Sequence, residues 1–120
     1  MPRDEFTERL AKVRHRFAST LEGKITDTYG ALPDLTGDDA TVVDVLGETY
    51  RRIHSIAGIG KAVGFSATGR AARAVENTLL PAHSAGRGLK AEEVAALKKQ
   101  LQLLRDAAQH ELDIAAASGM

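Results

Sequence analysis

The sequence predicts an all-α protein, an antiparallel up-down-up-down bundle of four helices. Three observations predict it. Apolar residues recur every three or four positions along most of the chain, and no stretch shows strand-like alternation. The non-polar content is aliphatic and rich in alanine, with three Phe, two Tyr and no Trp, a composition that favours helices. The breaks between periodic stretches are short and marked by Pro, Gly and Asp, and short connections favour antiparallel neighbours.

The first helix is expected from about residue 4 to 31, with Phe6, Leu10, Val13, Phe17, Leu21 and Ile25 in one stripe. Pro33 stops it, and residues 32–39 read as a polar loop in which Asp38 or Asp39 caps the next helix. The second helix spans about 40 to 62, with Gly64 ending it in a tight connection. The third starts near Ser66 as N-cap, uses Ala72, Val75 and Leu79 as its apolar face, and stops before Pro81. Residues 81–88 read as the clearest loop. The fourth helix covers about 90 to 117, with Val94, Leu97, Leu101, Leu104, Ala108 and Leu112 inward. The tail Gly119–Met120 is expected to fray.

At 120 residues one domain is the natural count, and that length supports a core without staples. The chain has no cysteine, which excludes disulfides and thiolate metal sites. With 16 basic and 16 acidic residues the formal net charge is zero. That balance argues against a nucleic-acid binder, and so few aromatics argue against a single-strand stacking platform. The charged opening, Met1 to Glu5, is not a signal peptide, and no apolar run approaches the ~20 residues of a membrane helix. A soluble cytoplasmic protein is expected.

Chemistry concentrates in His54-Ser55-Ile56-Ala57-Gly58-Ile59-Gly60-Lys61-Ala62-Val63-Gly64-Phe65. Helical residues advance about 100° each. With His54 at zero, Leu46 lies at about −80°, Ile53 at −100° and Ile56 at −160°, which marks the core side. Gly47 lies at about +20°, Gly58 at +40°, Arg51 at +60° and Lys61 at −20°. His54 is therefore expected at the solvent edge of the apolar arc, among small and cationic neighbours. Tyr50, at about −40°, is expected to bury its ring and keep its hydroxyl at the surface.

Other readings of these residues are weaker. A P-loop needs Gly at position 55, which is Ser, and Ser or Thr at position 62, which is Ala. A dinucleotide loop needs Gly at Val63 and a preceding strand. The glycines read instead as clearance for a partner and as a helix terminus. His15 reads as surface, His83 as part of a loop, and His110 as a cation near a helix end. No two histidines are spaced three or four apart on a helix, so no metal site is expected.

The segment from His54 to Phe65 resembles the signature of histidine-containing phosphotransfer domains: His-x-(Leu/Ile)-(Lys/Ala)-Gly, a few small residues, then Gly-(Phe/Leu). The likeness continues through Phe65–Glu76, which is similar to that family's third helix. The resemblance implies that His54 accepts a phosphoryl group from a receiver-domain aspartate or a histidine kinase and passes it to a response-regulator aspartate. It implies a phosphocarrier with a phosphohistidine intermediate, no cofactor of its own, and Mg²⁺ on the partner receiver domain. Arg51, Ser55, Ala57, Gly58 and Lys61 form the expected supporting set for phosphate or partner. The position three after the histidine is often lysine in the family and is Ala57 here, so Lys61 is expected to take over phosphate support. Nothing resembles an ATP site, so autonomous kinase activity is not expected. The opening methionine is read as the start of a small stand-alone protein, the variant being the N-terminal module of a chemotaxis-type kinase. A helical adaptor that regulates a receiver domain or kinase by binding alone is the alternative.

Overall fold

The computed structural model describes residues 2–119, with side chains from residue 4 onward. Its order is α1 (Pro2–Ala31), a 3₁₀ turn (Leu32–Asp34), α2 (Ala40–Ala62), α3 (Ser66–Ala85) and α4 (Ala91–Ala117), with no strand among the described residues. None of these helices is long and apolar enough to cross a membrane.

At 1.5 Å per residue the 30 residues of α1 reach about 45 Å, most of the 54 Å long axis of the molecule. Only part of its stripe is covered. Phe17, Leu21 and Ile25 are buried, whereas Phe6 is 68% and Val13 47% exposed. Leu10 is partly buried against the core, so the start of α1 covers its stripe unevenly.

Pro33 does end α1, but the connection is not merely a polar loop. Leu35 is fully buried, and its carbonyl accepts the Leu89 N–H at 2.8 Å, tying this connection to the one before α4. The Asp39 carboxylate accepts the Thr41 N–H at 3.1 Å and caps α2. At the other end of α2, Gly64 adopts φ +89°, a conformation that costs an L-residue steric strain. It lets the Phe65 N–H return to the Gly60 carbonyl at 2.8 Å, the 6→1 bond of a Schellman end.

Two expectations about α3 are corrected. Ser66 is its first helical residue and makes no cap. The Glu111 carboxylate, reaching over from α4, accepts the Thr68 N–H and hydroxyl at 2.7 Å and the Ala67 N–H at 3.3 Å, so a charge borrowed from another helix meets the positive end of α3. The helix also does not stop before Pro81 but runs through it to Ala85. Proline removes one helical donor, here the bond to the Asn77 carbonyl. Pro81 and Asn77 are both exposed, so water can replace that bond, while Ala82 one residue on is fully buried and keeps the next turn docked. Gly86, at φ +64°, ends the helix. Helix α4 then starts at Ala91, and Glu93 accepts the Lys90 N–H at 2.8 Å. Gly119 closes a turn onto Ala116; Met120 lies outside the described residues.

The core gathers the expected faces of α2, α3 and α4: Leu46, Ile53 and Ile56; Ala72, Val75 and Leu79; Leu97, Leu101 and Leu104. Phe17 meets Phe65 edge-on at 5.2 Å between centroids. Helices α2 and α3 approach closely where both carry glycine. A Cβ on Gly69 would stand 3.1 Å from the Lys61 nitrogen and 3.2 Å from the Ala57 oxygen; one on Gly60 would stand 3.2 Å from the Phe17 ring. Gly60 is thus a packing residue, not clearance for a partner.

Candidate functional site

His54 lies midway along α2 on its outer side, with its side chain 61% exposed. Across the contact with α3 it meets Glu76, which is only 5% exposed. The His54 Nδ1 and a Glu76 oxygen, Oε2, are 2.7 Å apart. The same oxygen accepts the Tyr50 hydroxyl at 3.0 Å, and Oε1 accepts from Arg73 Nη1 at 3.0 Å. Three donors thus converge on one buried carboxylate, which would otherwise be costly to desolvate.

Burial alone pushes the Glu76 pKa up. The hydrogen bonds from His54 and Tyr50, with the Arg73 charge, outweigh that and hold it below the usual carboxylate range. The hydrogen bond to Glu76, reinforced by burial, raises the Tyr50 pKa, so Tyr50 remains a phenol that donates. A carboxylate only accepts. The hydrogen bond therefore assigns the proton to His54 Nδ1 and leaves the Nε2 lone pair free in the neutral ring. An exposed imidazole with one fixed nitrogen and one bare nitrogen is a nucleophile.

The Tyr50 ring is stacked on His83 at 4.4 Å and 16°, and lies nearly parallel to His54 at 6.2 Å and 10°. The Tyr50 hydroxyl, which the sequence places at the surface, donates to Glu76. His83 is not in a loop: it belongs to the last turn of α3.

The expected supporting residues separate. Gly58 is exposed, and a Cβ there would meet nothing within 4 Å, so the face beside His54 is open. Arg51 is exposed and bends back over Gly47, where a Cβ would meet its guanidinium at 3.4 Å and His83 at 3.8 Å. Gly47 is accordingly buried beneath them. Ser55 is half-buried. Ala57 is 2% exposed and packs at the α2–α3 contact. Lys61 lines a groove of about 320 Å³ with Ala57, Ser66, Gly69, Arg70 and Arg73. Through Arg73 this groove adjoins the Glu76–His54 pair, and its three cations face solvent.

Sequence reasoning missed Glu76 and Arg73 as site residues. One signal was present: Glu76 falls at the core spacing 72, 75, 76, 79 of α3, and a carboxylate on an apolar stripe needs partners. A larger hollow, about 490 Å³ around Arg14, Phe65, Glu111 and Ile114, shares no residue with the histidine site. Its Glu111 is occupied by the end of α3 and its Arg14 Nε by the Val63 carbonyl at 2.8 Å. Among the described residues no group of His, Asp and Glu could hold a metal ion.

Comparison with protein-family models, with curated proteins and with solved structures finds no match for this chain.

Proposed function

We propose that the chain is a histidine phosphotransfer protein of a two-component phosphorelay, with His54 as phosphoacceptor. The observation that carries this reading is the exposed imidazole whose Nδ1 is held by a buried carboxylate, which leaves the lone pair on Nε2. In the proposed step the Nε2 lone pair attacks the phosphorus of an aspartyl phosphate on a receiver domain. The N–P bond forms, the acyl P–O bond breaks, and the aspartate carboxylate leaves. The ring gains positive charge as this happens, and Glu76 lies 2.7 Å from the Nδ1–H that carries part of it. The incoming group bears several negative oxygens, and Lys61, Arg70 and Arg73 offer cations beside it. Transfer to a second receiver reverses the sequence.

Phosphoryl transfer depends mainly on positioning and charge neutralisation, and one helix face supplies only part of both. The receiver domain, with its aspartate and Mg²⁺, supplies the remainder; a sensor or hybrid histidine kinase is the other donor, the N–P bond of its phosphohistidine breaking and its imidazole leaving. The antiparallel up-down-up-down arrangement belongs to this reading. Its support is the descending series of neighbours, Gly47 with His83, Tyr50 with Glu76 and Lys61 with Gly69. A cytoplasmic location is also part of it.

The test mixes the protein with a phosphorylated receiver domain and follows acid-labile phosphate on wild type and His54→Gln. Label on wild type alone, discharged to a second receiver, is the expected result. Binding without label on either protein would replace the phosphocarrier with the adaptor that acts by occupancy.

A further inference from the structure

The acceptor ring depends on a second line of residues. We propose that Tyr50 and His83 are positioning residues for His54, an inference that rests on the phosphoacceptor reading. Glu76 can orient the imidazole only if its own carboxylate is held. The side chain of His54 is mostly in solvent, so packing does little to stop the ring turning about its own axis. The Tyr50 hydroxyl and the His54 Nδ1–H share a single oxygen of Glu76. That oxygen has two lone pairs, and two donors fix the plane of the carboxylate more tightly than one.

His83 in turn holds Tyr50. The stack at 4.4 Å covers the face of the phenol ring, and three rings, His54, Tyr50 and His83, lie within 16° of parallel between neighbours. The path of α3 makes this possible. The helix continues through Pro81, which carries His83 to the level of Tyr50. His83 touches no reacting atom, so its role is exercised through Tyr50 and Glu76.

The experiment reads both the ring and the reaction. Long-range ¹H–¹⁵N NMR reports which nitrogen of His54 carries the proton in wild type, Tyr50→Phe, His83→Ala and His83→Phe. Potassium phosphoramidate serves as the phosphoryl donor, its P–N bond breaking and ammonia leaving as Nε2 takes the group. Wild type is expected as the Nδ1-protonated form. Tyr50→Phe keeps the ring and loses the hydroxyl, so His54 becomes a mixture of tautomers and uptake slows about two- to tenfold, the worth of one hydrogen bond. His83→Ala acts in the same direction and His83→Phe, which keeps the stack, restores the wild-type signature. Folded Tyr50→Phe and His83→Ala proteins with the wild-type tautomer and rate would overturn the proposal. Tautomer shifts in those variants, with no uptake even by wild type and none from a phosphorylated receiver, would overturn the phosphoacceptor role itself and leave only the contact standing.

Discussion

Replacing Glu76 with Gln is the most informative single perturbation, because it keeps shape and removes charge. The carboxylate accepts from His54 at 2.7 Å and from Tyr50 and Arg73 at 3.0 Å. The amide of Gln presents one acceptor oxygen and one NH₂, so at least one of the three donors then faces another donor. Hydrogen bonds to a charged group contribute about 1.5–3 kcal/mol each. The full sum does not apply, since His54 is 61% and Arg73 52% exposed and both recover water. A loss of about 1–3 kcal/mol is expected. For a chain of this size that lowers Tm by roughly 4–12 °C, read by circular dichroism. The oriented tautomer is lost as well, and one charge-assisted bond at the reacting ring corresponds to a rate about 10- to 100-fold lower. Phosphoryl uptake from a phosphorylated receiver measures it. A folded Glu76→Gln protein with the wild-type rate would refute the claim that the carboxylate prepares His54.

Further predictions follow from the same geometry. Gly69→Ala places a methyl group 3.1–3.2 Å from α2 backbone atoms and is expected to cost about 1–3 kcal/mol in chemical denaturation; an unchanged midpoint would mean that the two helices separate freely. Lys61→Ala and Arg70→Ala each remove one cation from the groove beside Arg73, and each should weaken transfer from a receiver a few-fold at low salt and less at high salt; equal effects at both would argue against an electrostatic role. Acid should loosen the site. Glu76 has a folded pKa below its ordinary 4.5, so its contribution is full above the unfolded value and is lost as pH falls through the lowered one. Wild type should therefore lose more stability than Glu76→Gln on titration below pH 4.5, monitored by thermal melts.

The parts of the fold legible in the sequence are those that local rules decide. Helix α2 begins after an Asp that caps it and ends at a Gly that only a left-handed turn requires, and both features act within a few residues. What escaped was decided at a distance. Nothing near Ser66 reveals that Glu111, more than 40 residues later, caps α3. Pro81 reads as a stop because its missing donor is a local cost, whereas the burial of Ala82 and Leu79 that outweighs it is tertiary. Phe6 and Val13 continue the α1 stripe, but periodicity records only which face is apolar and not how far the neighbouring helices reach.

The site shows the same division more sharply. His54 stood out because its helix turns it to solvent among small residues, all of which the wheel of α2 alone displays. Under the phosphoacceptor reading its chemistry depends on Glu76, and Glu76 seen from α3 alone breaks the pattern, a carboxylate where the core stripe calls for an apolar side chain. The two observations explain each other only across the interface. A buried carboxylate on one helix needs donors, and the exposed imidazole on the other supplies one. The close α2–α3 approach through Gly60 and Gly69 brings them to 2.7 Å. A residue that violates its own helix's pattern therefore points to the face of the neighbouring helix where a partner must lie.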